Sequence, residues 1–173
     1  AGEKNSISVD MGGTSFDISL CYRGEVRRTQ DSEIERLPVK VPMVDIHTLG
    51  AGGGSIAWVD PGGAMRVGPQ SAGANPGPAA YGHGGTDFTI TDANLLLGRI
   101  SPGGLLGGRM ALRHDLAEAA GKRVADQVGI SDVNRLAEGV IQIAVTTMSG
   151  AIRAISIERG HDPRELTLVA FGG

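Results

Sequence analysis

Between Val9 and Leu20 the chain reads VDMGGTSFDISL, directly behind the alternating Ile7-Ser8-Val9. An acidic residue closes one strand, Gly12-Gly13-Thr14-Ser15 makes a turn, and a second strand resumes at Phe16-Asp17-Ile18. The chain therefore reverses direction on backbone and hydroxyl groups alone. Glycine has no Cβ, so Gly12 and Gly13 can take positive φ and let main-chain N–H groups approach an anion. Thr14 and Ser15 add hydroxyl donors. Asp10 is an oxygen ligand at a strand end, where hydrated Mg2+ could be held, and Asp17 could orient a water or the metal shell. The same residues also suit an ordinary tight hairpin whose glycines serve geometry only.

At 173 residues the chain is one ordinary domain in length, with room for a sizeable core. A net charge of −3 gives no electrostatic reason to expect nucleic acid or an anionic membrane as partner. Three Phe, two Tyr and one Trp leave little for base stacking. The single Cys21 lies in the second expected strand, where it reads as a small buried hydrophobe. One cysteine excludes an intrachain disulfide and a cysteine-only zinc site, which fits a reducing, cytoplasmic setting. No uninterrupted apolar run approaches the ~18 residues of a membrane span, and no signal-peptide pattern opens the chain.

The 28 glycines and 8 prolines cluster between well-patterned apolar segments and do not dilute them, so most belong to ordered loops and not to a disordered linker. Strands are expected at residues 5–10, 16–22 and 25–30, with Arg23-Gly24 turning between the last two, and an irregular connection at 31–44. Residues 44–49 read as a strand running into Gly50-Ala51-Gly52-Gly53-Gly54-Ser55, with a strand resuming at 56–59. This second glycine turn could close on a phosphate, close on a domain partner, or be a plain flexible hairpin. His47 is equally compatible with a structural role and a place near the site, and no second His or Cys stands at metal-ligand spacing. Residues 60–85 form a long loop stiffened by prolines, of a length usually functional or disordered; the fixed prolines favour function.

Residues 93–97 form a short helix capped by Thr91 or Asp92 and stopped at Gly98. A helix follows at 113–128, with Gly129 as its stop. A longer one from about 131 to 159 carries the stripe Val133, Leu136, Ala137, Val140, Ala144, Met148, Ala151 and Ile155. So broad a stripe implies a largely buried helix, with Gly139 and Gly150 admitting a close neighbour and the methionines serving as core. Leu166 to Phe171 is a continuous apolar strand of the kind buried on both faces, running into Gly172-Gly173.

Residues 10–18 resemble the second phosphate-binding motif of the actin, sugar-kinase and heat-shock-chaperone ATPases, and the strand ending at Gly172-Gly173 resembles the start of their adenosine motif. More specifically, GAGGGSIAWVD from Gly50, VGPQSAGANPGPAAYG from Val67, TDANLLLGR from Thr91 and RGHDPRELTLVAFGG from Arg159 resemble the hydantoinase A and 5-oxoprolinase family, which includes N-methylhydantoinase and the larger subunits of acetone-type carboxylases. The resemblance covers nearly the whole chain. It implies an α/β fold: an actin-like (ribonuclease H-like) ATPase lobe, a mixed sheet with an antiparallel N-terminal meander and packed helices. It also implies ATP-dependent activation of a cyclic amide or imide such as hydantoin, N-methylhydantoin or 5-oxoproline, the phosphorylated carbonyl being the better electrophile for water. The alternatives are the nucleotide lobe of an ATP-dependent ketone carboxylase and a non-catalytic, actin-like nucleotide-binding module.

By the same resemblance Asp10 sits by Mg2+; Gly12, Gly13, Thr14 and Ser15 lie on the β- and γ-phosphates of ATP; and Gly172 and Gly173 lie beside the adenosine. Asp17, Gly52, Gly53, Gly54 and Ser55 are expected near the nucleotide. The loop at 71–81 is expected to shape a lobe or subunit interface or the substrate side of the cleft. Family members carry an upstream lobe with its own D-x-G-G-T motif and continue past the final glycines, and they work with a hydantoinase B-type partner subunit or domain. The 173 residues are accordingly expected to be a single partial domain, the second nucleotide-binding lobe, with its catalytic residues elsewhere and little activity alone.

Overall fold

A computed structural model describes residues 2–30, 32–34 and 37–172. Its N-terminal hairpin pairs β1 (Ser6–Met11) with β2 (Phe16–Tyr22) antiparallel, Met11 facing Phe16 across the turn. Alternation decides the faces, as the two-residue period of a strand requires. Ile7, Val9, Phe16, Ile18 and Leu20 are buried on one face. Ser8 and Ser19 meet on the other at 2.6 Å, and Asp10 stands opposite Asp17. Cys21, expected to be buried, falls on this open face and is half-exposed.

The expected third strand at 25–30 divides. β3 (Glu25–Val26) pairs with the far end of β2, whereas β4 (Arg28–Thr29) turns away to another partner. Of the segment expected to be an irregular connection, β5 (Ser32–Ile34) and β6 (Leu37–Val39) pair with each other and β7 (Met43–Val44) pairs with β4. β8 (Ile46–Leu49) begins after Asp45, whose Oδ2 holds Arg27 at 3.1 Å and Arg159 at 2.7 Å, and pairs with the turn end of β2.

A separate hairpin joins β9 (Ser55–Val59) to β10 (Met65–Ser71). β10 corrects the expectation of loop throughout 60–85: Gly68 and Pro69 disguise it, and the pairing shifts register between Val67 and Ser71 where they stand. α1 (Ile90–Leu96) starts earlier than expected, because Thr89 is its N-cap and forms a reciprocal capping box with Asp92. α2 (His114–Val128) ends on the left-handed Gly129, and α3 (Val133–Ile157) starts behind an Asp132 cap.

α3 is the spine. At 25 residues and about 1.5 Å per residue it is long enough to serve two cores. Its first half packs Leu136, Ala137, Val140 and Ala144 against Ala57, Phe88, Ile90 and Ala120. Its second half lays Ala151 and Ile155 on the buried face of the β1–β2 hairpin. Length and hydropathy alone would let α3 cross a membrane, but this packing accounts for its apolar stripe. Gly139 does admit a neighbour, the end of Met65, whereas a Cβ at Gly150 would meet nothing within 4 Å.

The chain returns as β11 (Thr167–Gly172), parallel to β1, giving the order β11-β1-β2-β3 with β8 also on β2. This mixed sheet with its packed helices matches the expected fold class. Among the described residues β11 is the edge strand, with Leu168 and Phe171 both 56% exposed, where burial on both faces was expected.

Candidate phosphate-binding site

The turn after β1 is closed by the Gly12 N–H donating to Ser15 O at 3.0 Å. Neither Gly12 nor Gly13 takes the left-handed conformation that glycine would permit, and a Cβ on either would meet nothing within 4 Å. Packing and backbone strain therefore do not explain these two glycines. Their surroundings are open, which suits close approach by something outside the chain.

The second glycine turn determines how the first is oriented. Gly53 N–H donates to Gly12 O at 3.0 Å and Gly54 N–H to Gly13 O at 2.7 Å. A trans peptide sets its C=O and N–H antiparallel. Drawing the Gly12 and Gly13 carbonyls toward residues 53 and 54 thus turns the N–H groups of Gly13 and Thr14 the other way. Among the described residues nothing accepts from those two N–H groups. They form an outward-facing pair of donors, the arrangement that binds anions.

Residues 52–55 are spent on this bracing. A Cβ at Gly52 would lie 2.6 Å from both Gly13 C and Thr14 N; one at Gly54 would lie 2.8 Å from Ser71 Oγ. Gly52 N–H donates to Ser55 Oγ at 2.9 Å, and Ser55 is only 1% exposed. The N–H groups of Gly52, Gly53 and Gly54 are thus all committed inside the protein. The brace is itself anchored, since Gly53 O accepts from Thr91 N–H at 2.8 Å and Thr91 Oγ1 at 2.9 Å, and Gly54 O accepts from Ala72 N–H at 2.8 Å.

Thr91 is fixed by the start of α1, where Asp92 is fully buried. Asp92 Oδ1 accepts from Ala80 N–H at 2.7 Å, and Oδ2 accepts from Thr89 N–H at 2.8 Å and Thr89 Oγ1 at 2.7 Å. Burial pushes its carboxyl above the ordinary value of 3.8 against the pull of these hydrogen bonds. Burial also pushes the Tyr81 phenol up, with the charge of Asp92 adding to it.

On the open sheet face, Asp17 accepts from Ser15 Oγ at 2.8 Å and from Thr48 Oγ1 at 2.5 Å. The Ser15 hydroxyl proton is therefore committed to Asp17. Asp10, by contrast, receives no hydrogen bond from the described residues, and its carboxylate borders an open cleft of about 430 Å³ with Ser8, Asp17, Ser19, Thr48 and Phe171. Such a hard oxygen donor at a strand end suits Mg2+. Gly172 pairs with Met11 at φ +96°, and a Cβ there would collide with Asp10 Oδ1 and sit 2.6 Å from Met11 O. Asp10, the first turn and Gly172 thus meet at one end of the sheet. Gly173 lies outside the described residues. His47 is exposed on β8, and no group of three or more His, Cys, Asp or Glu able to hold a metal occurs among the described residues. Sequence reasoning did not assign Thr48 to the site, and it placed Ser71 only within the 71–81 loop expected to shape an interface or the substrate side of the cleft. Thr48 lies in β8 two residues before Gly50, and Ser71 ends β10 two residues before Gly73, so each stands close to a glycine-bearing turn.

The family model described as Hydantoinase/oxoprolinase matches residues 1–173. The caprolactamase subunit alpha of Pseudomonas jessenii is 50% identical over 173 residues, which are 99% of this chain and 25% of that protein. The crystal structure of the ATP-dependent caprolactamase from the same bacterium superposes with a TM-score of 0.89 at 50% identity, over 99% of this chain and 25% of that one. A nucleotide-free acetone carboxylase, solved in work on ATP-dependent acetone carboxylation, gives a TM-score of 0.89 at 34% identity, over 99% and 24% of the two chains. The chain thus spans about a quarter of the length of these relatives.

Proposed function

Since the chain belongs to the hydantoinase/oxoprolinase family, we propose that it contributes the phosphate-binding part of the second nucleotide-binding lobe of an ATP-dependent enzyme that opens a cyclic amide or imide. What carries this reading is the pair of N–H groups at Gly13 and Thr14, held outward by the brace at residues 52–54 and flanked by Asp10 and Gly172. Gly13, Thr14 and the Thr14 hydroxyl hold the terminal phosphates, Asp10 takes the Mg2+ that accompanies them, and Gly172, whose lack of a Cβ leaves room for Asp10 Oδ1, lies beside the nucleoside. When bound, ATP supplies the phosphoryl group that activates the amide carbonyl toward water. The contribution of this chain is to position that group and to neutralise its charge without reorganisation.

Asp17, fixed by two hydroxyls, adds a second carboxylate opposite Asp10, and a pair of carboxylates favours a divalent cation there over a bare anion. A hydantoinase B-type subunit or domain and an upstream lobe complete the site in the intact protein, in a cytoplasmic setting. The likeness to the acetone carboxylase favours a second reading, carboxylation of a ketone, through the same phosphate seat.

The test is turnover by the intact protein with its partner subunit. Phosphate release from ATP should depend on a lactam, hydantoin or 5-oxoproline and should fall sharply in Gly13→Val. Release that depends only on a ketone with bicarbonate would select the carboxylase reading. Undiminished turnover in Gly13→Val would remove the turn from the site. The isolated 1–173 segment should show no enzyme-like turnover.

A further inference from the structure

Ser71 ends β10 on the rim of the first turn, with its Oγ 3.4 Å from Thr14 Oγ1. Three contacts fix it there. Gly73 N–H donates to Ser71 Oγ at 3.1 Å, and the next residue's N–H, that of Ala72, donates to Gly54 O at 2.8 Å. Its side chain lies over Gly54, where any Cβ would come within 2.8 Å of Ser71 Oγ. The residue is neither buried like Ser55 nor committed to a carboxylate like Ser15, the two serines that the sequence motifs single out.

A hydroxyl carries one proton and two lone pairs. Gly73 N–H takes one lone pair of Ser71 and leaves its proton to donate. Two hydroxyls 3.4 Å apart share at most one weak bond, so at least one of the two protons is available to an outside acceptor. A phosphate oxygen is an acceptor only and carries charge, so it takes such protons strongly.

We propose that Ser71 is a residue of the phosphate site, its hydroxyl donating together with that of Thr14 to the terminal phosphate of ATP. The proposal rests on the reading of the first turn as a phosphate seat. It also assigns a task to the proline-rich segment after β10: through Gly73 and Ala72 it holds this hydroxyl at the seat.

The experiment measures ATP and ADP affinity in the intact protein for the parent, Ser71→Ala, Ser71→Thr and Gly13→Val. Ser71→Ala should weaken ATP roughly tenfold or more, the loss expected for one hydrogen bond to a charged group, while ADP changes less than about twofold. Ser71→Thr, which keeps the hydroxyl, should retain ATP affinity. A structural defect would weaken both nucleotides together, so equal loss, or no loss, in Ser71→Ala overturns the assignment. If Gly13→Val loses ATP while Ser71→Ala does not, only Ser71 is dismissed. If Gly13→Val also binds ATP normally, the phosphate seat and Ser71 fall together.

Discussion

A methyl group added at Gly52 would lie 2.6 Å from the backbone of Gly13 and Thr14, whereas one added at Gly12 or Gly13 would meet nothing within 4 Å. The two sets of glycines are therefore required by different things, and substitutions should separate them. Gly52→Ala should destabilise the intact protein by about 1–3 kcal/mol, since backbone must move to admit the methyl, and should weaken ATP with it. Gly12→Ala should change stability by about 0.5 kcal/mol or less, yet still weaken ATP by crowding the open side. Denaturant melts beside nucleotide titrations measure both; equal stability loss in the two variants would contradict the distinction. Sequence reading reached Gly12, Gly13 and Asp10 because a strand–glycine–strand pattern is local. It gave Gly53, Gly54 and Ser55 no role finer than nearness to the nucleotide, because whether a turn's N–H groups face a ligand or another turn is settled by a tertiary contact that pattern cannot carry.

The β9–β10 hairpin and the start of α1 act together, since α1 holds Gly53 through Thr91 and Thr91 is set in place by the Thr89–Asp92 capping box. Asp92 has three donors on its two oxygens and no access to water. Asp92→Asn puts an NH2 where an acceptor is needed and leaves buried donors unpaired, so it should destabilise the intact protein by about 1–3 kcal/mol. The pH dependence has a definite sign. Burial raises the folded-state pKa of Asp92 above the ordinary 3.8, so the folded state binds more protons than the unfolded state between those values. Its contribution is fully present below 3.8 and is lost as pH rises through the folded pKa. The difference in unfolding free energy between the parent and Asp92→Asn should fall as pH rises through that range, the opposite contributions of Asp60, Asp115 and Asp162 cancelling between the two proteins; a difference independent of pH would contradict the assignment. Gly68 and Pro69 interrupt the alternation of β10 and hide it in the sequence, and the start of α1 reads late because Thr91 and Asp92 look as much like caps as Thr89 does.

Over the whole molecule, α3 joins the β9–β10 hairpin, which follows the bracing turn, to the sheet that carries the first turn, burying its first half against the hairpin and its second half against the sheet. The long stripe made this helix legible from sequence. The apolar run of β11 reports that the strand can bury both faces, and the described residues cover neither of them. The central claim is that the turn at residues 12–15 is a phosphate seat held open by the turn at 52–54. Hydrogen–deuterium exchange of the intact protein, with and without a non-hydrolysable ATP analogue and Mg2+, tests it most directly. Peptides covering residues 10–15 should gain strong protection on nucleotide binding, while those covering 52–55, whose N–H groups are already bonded, should be slow in both states. Saturating nucleotide with residues 10–15 exchanging as fast as before would contradict the account.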